Sequence, residues 1–315
     1  LRADVVATTV DLLGTPPDDV VLAPPGAVPK TSSGKIRRAA CRDRYERGMI
    51  GAGRPAMWRQ LAGLAVAAGR ARVRALARSA VTGLFAAYAW VLTAMVGTPV
   101  WLAVVVLPSR RWRWGALRGG ARLLTRLAGV PVAVRGSELL PASGPYVVAA
   151  NHPSYVDGLA LILALPGFPR FVAASEFARR PISGTLLRRL DTEFVHRHDP
   201  ERAVGDARRL SRRAAEGHTL VFFPEGGLAP EPGLRPFHTG AFTVAAEAHL
   251  PVVPVAIRGT RAVVAPGQRS AHPGVVQVIV APPLAAEQAS WDEVLQLRQN
   301  ARAAILEHCG EPDLG

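Results

Sequence analysis

The sequence predicts an α/β fold, a mostly parallel sheet flanked by helices, with an apolar helical hairpin ahead of it. Two observations predict it. From Val130 onward, short valine-rich runs alternate with stretches of helical period, the pattern of a largely parallel sheet. Before that lies a run from Val81 to Leu107 without a charged residue, bounded on both sides by arginines.

Residues 1–48 read as a small mixed segment ending in the basic stretch Lys35-Ile36-Arg37-Arg38. Residues 49–78 follow as a basic amphipathic linker helix. Trp58, Leu61, Leu64, Ala65 and Ala68 recur at helical spacing, and arginines crowd the later turns. Such a helix either lies in a lipid headgroup layer or forms a solvated surface. Residues 79–129 form the anchoring region. The uncharged run exceeds the roughly 20 apolar residues that a bilayer span needs. Arg70, Arg72, Arg74 and Arg78 precede it, and Arg110, Arg111 and Arg113 follow. Arginines favour the cytoplasmic side, and one span cannot put both flanks there. A re-entrant membrane-binding hairpin can, and Gly97-Thr98-Pro99 is where a helix would break. The expected location is the cytoplasmic membrane, with the working face in the cytoplasm.

Residues 130–315 hold the α/β domain. Strands are expected at 131–135, 145–150, 170–174, 219–223, 252–257 and 275–281, and helices at 158–165, 201–216 and 238–249. Pro254 inside a strand pattern points to an edge or a bulge. The last helix is the best marked. Ser290 is its N-cap, Glu293 completes a capping box, and Gly310 stands where the helix stops. Trp291, Val294, Leu297, Ala301 and Ile305 form its buried stripe.

The formal charge of +14 is carried almost wholly by arginine and implies an anionic partner. Since 49% of the residues are hydrophobic, that partner is expected to be membrane lipid. Nucleic acid is not expected, because the few aromatics make no base-stacking platform. Cys41 and Cys309 lie at opposite ends of the chain, with neither metal-ligand spacing nor a disulfide framework.

The chemistry concentrates in two stretches. Asn151-His152-Pro153-Ser154-Tyr155-Val156-Asp157 follows an apolar strand and precedes an apolar helix. At that spacing the carboxylate folds back onto the imidazole. The imidazole then takes a proton from an attacking hydroxyl, while the aspartate fixes its tautomer. An aspartate at a helix start also serves as an N-cap. The second stretch is Phe223-Pro224-Glu225-Gly226-Gly227 at a strand end. Its glycines bring backbone N–H groups close to a ligand, and Glu225 is placed to bind an acceptor hydroxyl or orient a base. A plain strand and turn has the same pattern. Basic residues after the next strand, Arg258 and Arg261, either hold a phosphate or are simply solvated, and Arg197 is placed to face an anionic headgroup. There is no G-x-S-x-G nucleophile elbow.

Asn-His-x-Ser-x-x-Asp at 151–157, Phe-Val-x-Arg at 194–197, Phe-Pro-Glu-Gly at 223–226 and Val-Pro-Val-Ala at 253–256 together resemble the ordered motifs of the lysophosphatidate acyltransferase family. The resemblance covers about residues 130–310. It implies the glycerolipid acyltransferase fold, with His152 and Asp157 catalytic and acyl-CoA or acyl-carrier protein as donor. It further implies that Arg197, Glu225 and Gly226 shape the acceptor site, with Asn151, Ser154 and Arg258 in support. No metal, no cofactor and no acyl-enzyme are implied. The acceptor implied is a lysophospholipid, 1-acyl-sn-glycerol 3-phosphate first among them. The family commonly continues Phe-Pro-Glu-Gly with Thr, Arg and Ser, whereas Gly227, Leu228 and Ala229 stand here. Separately, Pro29-Lys30-Thr31-Ser32-Ser33-Gly34-Lys35 and the residues around it resemble the C-terminal tail of AMP-forming acyl-CoA synthetases. Lys35 matches that family's adenylation lysine. This implies a stub of a fused or associated synthetase, inactive alone.

Overall fold

A computed structural model describes residues 1–50, 57–196, 199–268, 270–286 and 288–315. The chain divides into two compact units, Leu1–Ala77 and Arg78–Gly315. The first contains helices α1 (Arg2–Leu13) and α2 (Arg38–Glu46). Between them a tight turn pairs Lys30 with Ile36, and the Thr31 N–H donates to the Lys35 carbonyl at 2.8 Å. Lys35 is exposed on that turn.

Helix α3 (Met57–Val106) is continuous, and the second unit takes it up from Arg78. From Ala65 it is long and apolar enough to cross a membrane. The expected break at Gly97 does not occur, and Pro99 sits inside the helix. A proline there costs one hydrogen bond, which apolar packing on one side of the helix offsets. The break comes instead at Leu107-Pro108-Ser109, where the residue before proline is driven out of the helical region. Helix α4 (Arg110–Leu127) then returns along α3. Val100 lies against Gly120, where a Cβ would come within 2.2 Å of its methyl. The Tyr88 hydroxyl donates to the Leu127 carbonyl at 3.0 Å, and Val104 is buried with Trp114 and Leu117. The uncharged run is therefore one helix and not a re-entrant hairpin; the chain turns at 107–109, and α4, with its six arginines, packs back on α3. The division expected at 78–79 falls within α3.

Seven strands make one sheet: β1 (Val132–Arg135), β2 (Val147–Ala150), β3 (Arg170–Ala174), β4 (Glu193–Val195), β5 (Leu220–Phe222), β6 (Val252–Arg258) and β7 (Val276–Val280). Their order is β1-β7-β6-β2-β5-β3-β4, and every pairing is parallel except β6 with β7. β2, β5 and β6 up to Ile257 are uninterrupted apolar runs because both faces of the sheet are covered. Helices α7 (Pro200–Ala215), α8 (Gly240–Glu247) and α10 (Trp291–Cys309) contribute to the core on one face. Helix α5 (Asp157–Ala164) does so on the other. α6 (Pro181–Arg189) and the single turn α9 (Thr260–Val263) complete the unit.

Two expectations need correction. β6 is an interior strand although it holds Pro254. The Pro254 carbonyl accepts from Ala281 N–H at 2.9 Å, and pairing with β7 begins only at Val255, so the missing donor falls at the end of that ladder. On α10 the N-cap and stop stand as read: the Ser290 hydroxyl accepts from Glu293 N–H, and Gly310 takes φ 70°. Trp291 lies outside the buried stripe, 61% exposed, because the first turn projects beyond the sheet.

Candidate active site

The site lies where β2, β5 and β6 end side by side, the place at which parallel sheets present reactive groups. Asn151 ends β2 and is buried. Its side-chain amide donates to the Ile257 carbonyl at 2.9 Å, and its carbonyl oxygen accepts from Ile257 N–H at 2.6 Å. The loop after β2 is thereby fixed to β6 before it turns into α5. Asp157 opens α5, fully buried, and one of its oxygens receives two bonds. His152 Nδ1 lies 2.8 Å away and the Ser154 N–H 2.7 Å away. The carboxylate thus bonds the imidazole and the loop before it and caps no helical N–H, since the N-cap position of α5 is Val156. The Ser154 hydroxyl donates to the Val264 carbonyl at 2.6 Å and holds the loop from the far side.

Burial pushes the Asp157 carboxyl above its usual range. Bonding to His152, the Thr260 hydroxyl and the Ser154 N–H opposes that shift. The His152 ring stacks on Phe223 with centroids 4.0 Å apart. With Nδ1 bound by the carboxylate, Nε2 is the nitrogen left to exchange a proton with a substrate. One-fifth of the His152 side chain is open to solvent.

Glu225 occupies the neighbouring strand end, and both of its oxygens are used. Oε1 accepts from the His152 backbone N–H at 2.7 Å, and Oε2 accepts from the Arg235 N–H at 3.2 Å, with the Arg235 guanidinium 3.5 Å off. Of the two roles expected from sequence, these contacts fit the orienting of a base, and they tie the two loops together. Glu225→Gln keeps the shape but weakens the charge-assisted bonds, and we expect a fall in kcat of roughly tenfold, with less change in KM. A parallel steady-state comparison, with melting measured, checks it.

Gly226 has φ 79°, and a Cβ there would lie 2.7 Å from His238 Nε2, so a side chain would close the wall at that point. Beside it a cavity of about 410 Å³ runs between α7 and α8. Phe222, Phe223, Leu210, Ala241 and Val244 make its apolar wall, with His196, Asp206 and His238 as polar members. His196 Nδ1 lies 3.0 Å from Asp206. The bonds from His196 and Arg209 outweigh burial and hold that carboxyl below its usual range.

The remaining expected residues divide. Arg197 lies outside the described residues. Arg258 is exposed at the end of β6, turned against the α10 terminus, where its Nε would meet a Cβ on Gly310 at 3.0 Å. Arg261 is engaged by Glu311 at 2.8 Å and by the Ala229 carbonyl at 3.0 Å. Arg261 is thus committed to the chain's own loop and C-terminal segment, while Arg258 stays exposed. Sequence reasoning did not single out Arg235, and it gave Phe223, though part of the second stretch, no role against His152. Only the proximity of Arg235 to Glu225 in the chain hinted at the first.

Comparison with known proteins agrees with this geometry. Residues 131–258 match the family model described as Acyltransferase. The chain is 31% identical over 153 residues to a chloroplastic 1-acyl-sn-glycerol-3-phosphate acyltransferase of Brassica napus, covering 48% of this chain and 44% of that one. It is 31% identical to human 1-acyl-sn-glycerol-3-phosphate acyltransferase alpha, over 57% of this chain and 64% of the relative. It is 30% identical to mouse lysophosphatidylcholine acyltransferase 2, over 58% of this chain and 33% of that one. The chain thus spans less than two thirds of each of these three relatives. The crystal structure of PlsC, the 1-acyl-sn-glycerophosphate acyltransferase of Thermotoga maritima, superposes with a TM-score of 0.61 at 22% identity, covering 73% of this chain and 97% of PlsC. Its fold is the fold seen here. Over residues 131–258 the chain thus matches the acyltransferase family model, and it shares the fold of PlsC.

Proposed function

We propose that this chain transfers a fatty acyl group from acyl-CoA or acyl-carrier protein to the hydroxyl of a lysophospholipid, 1-acyl-sn-glycerol 3-phosphate foremost, in phospholipid biosynthesis. The observation that carries the reading is the imidazole of His152, bound at Nδ1 by a buried carboxylate. In the reaction the acceptor hydroxyl oxygen attacks the thioester carbonyl carbon as its proton passes to Nε2. Asp157 stabilises the imidazolium across the ring. The tetrahedral intermediate collapses, the C–S bond breaks, and the proton on Nε2 passes to the leaving thiolate. No residue is acylated, and we assign no metal or cofactor to the step. The apolar cavity beside Phe223 supplies room for a lipid chain next to the ring. The relatives' names, which include both lysophosphatidate and lysophosphatidylcholine acyltransferases, support this substrate class.

We place the working face on the cytoplasmic side: arginines stand at both ends of the uncharged run, and an unbroken α3 keeps both ends on one side by lying along the leaflet instead of crossing it. Residues 1–48 are proposed as the stub of a fused or associated synthetase, with Lys35 as its adenylation lysine and no part in acyl transfer.

Purified protein given an acyl thioester should release thiol only when a lysophospholipid is added; release independent of any lipid acceptor would sink the reading. The acceptor preference is testable at Leu228. Without the arginine common there, the enzyme should accept lysophospholipids with a substituted phosphate alongside lysophosphatidate. Leu228→Arg should then shift the ratio of initial rates toward lysophosphatidate by roughly tenfold or more, the worth of one charge-assisted bond.

A further inference from the structure

We infer that the segment Ser175–Arg189, inside the α/β domain, is a second lipid contact that docks on an anionic leaflet beside α3. Four observations within the second unit carry this.

The first is the uncovered side of α3. Leu84, Val91, Met95, Leu102 and Val106 are 72%, 59%, 70%, 49% and 74% exposed. Steps of seven and four residues place them within an arc of about 60° on the helix. The opposite side is covered by α4, so α3 presents one apolar stripe to lipid while its other side rests on protein.

The second is how the segment is fixed to that helix. The indole N–H of Trp101 donates to the Ile182 carbonyl at 3.0 Å. Arg189 donates to the Leu107 carbonyl at 2.9 Å, and Arg113 donates to the Arg189 carbonyl at 2.9 Å. The start of α6 is thereby held at the depth of the last apolar turns of α3.

The third is what the segment shows to the outside. Ile182 is 70% exposed and Phe177 40%. Gly184 lets α6 close on the turn before it, since a Cβ there would lie 2.6 Å from the carbonyl oxygens of Phe177 and Ala178. The two apolar side chains therefore sit on a rigid double turn.

The fourth is charge. The segment holds four arginines against one glutamate. Arg188 and Arg189 are engaged by backbone carbonyls. Arg179 and Arg180 pair with no carboxylate among the described residues. The Arg180 guanidinium sits 4.9 Å over the Phe177 ring. An aromatic ring with a cation above it, next to an exposed isoleucine, suits the boundary between acyl chains and anionic headgroups. An acidic protein surface would satisfy the arginines but leave Ile182 and the α3 stripe without an apolar partner.

Ile182→Cys, in a Cys41→Ser background, gives a site for an environment-sensitive probe; Cys309 is buried and unreactive. A second probe at Val204, exposed on α7, is the reference. The full chain is bound to phosphatidylcholine vesicles with and without phosphatidylglycerol, carrying a lipid-borne quencher. The probe at 182 should be quenched, more strongly with the anionic lipid, while the probe at 204 stays open to aqueous quencher. Arg179→Glu with Arg180→Glu should abolish the gain from anionic lipid. The double variant should also raise KM roughly tenfold for a vesicle-embedded lysophospholipid, and leave KM for a short-chain soluble acceptor unchanged. Equal aqueous accessibility at 182 and 204 on vesicles overturns the inference, whatever the enzyme's activity. So does quenching that ignores both lipid charge and the arginine variants.

Discussion

Replacing His152 with alanine is expected to lower acyl transfer by ~10²–10⁴-fold, with KM for the thioester little changed. The ring is held at Nδ1 by a buried carboxylate, which leaves Nε2 to take the proton of the acceptor hydroxyl. Its removal leaves a space beside Phe223 and alters no backbone bond: the N–H that donates to Glu225 remains. The variant should therefore fold and bind vesicles as the parent does. Thiol release with a lysophospholipid acceptor is the measurement. A folded alanine variant turning over near the parental rate would remove the imidazole from the mechanism.

Asp157→Asn should fall in the same direction, by ~10²-fold or more, because the amide cannot hold the imidazole in its donating tautomer or balance the imidazolium. Its stability should move the opposite way. Burial raises the folded-state pKa of Asp157 above that of the unfolded chain, so the native protein binds this proton more tightly. The contribution is therefore present in full below the unfolded value and is lost as pH rises through the folded one. Asparagine carries no such proton. The melting temperature of the variant relative to the parent should then increase steadily with pH across that window and level off beyond it. A gap independent of pH would mean that burial does not govern this carboxyl. Activity and stability here pull on one atom: the ionised state the reaction needs is the one the fold resists.

The catalytic pair was legible in the sequence because both members lie on one loop of seven residues, between a strand and a helix that are each well marked. The six long strands were legible for a similar reason, as valine runs bounded by turn residues. β4, three residues long with a glutamate at its start, carries too little pattern to be read. The chain's turn was misplaced because Gly97 and Pro99 together look like a stronger stop than Pro108 alone. Packing on α4 overrides the local preference at Pro99, and nothing overrides it at Pro108. The partners of Glu225 could not be read, since the His152 N–H it accepts from is 73 residues away and Arg235 belongs to a loop without any regular period. Of the basic residues expected after β6, Arg261 bears a charge that the folded chain uses for its own ion pair with Glu311.

The reciprocal bond between Asn151 and Ile257 bridges 106 residues of chain. It has a consequence for when the protein becomes competent. The catalytic loop leaves the ribosome long before β6, and until β6 arrives Asn151 has no strand to hold and Ser154 no carbonyl at Val264. β2 must also wait for β5, which contributes Glu225. A growing chain therefore exposes His152 and Asp157 without orienting them, and the proton-accepting geometry assembles only when nearly the whole sheet has been synthesised. Contacts this distant in sequence form slowly.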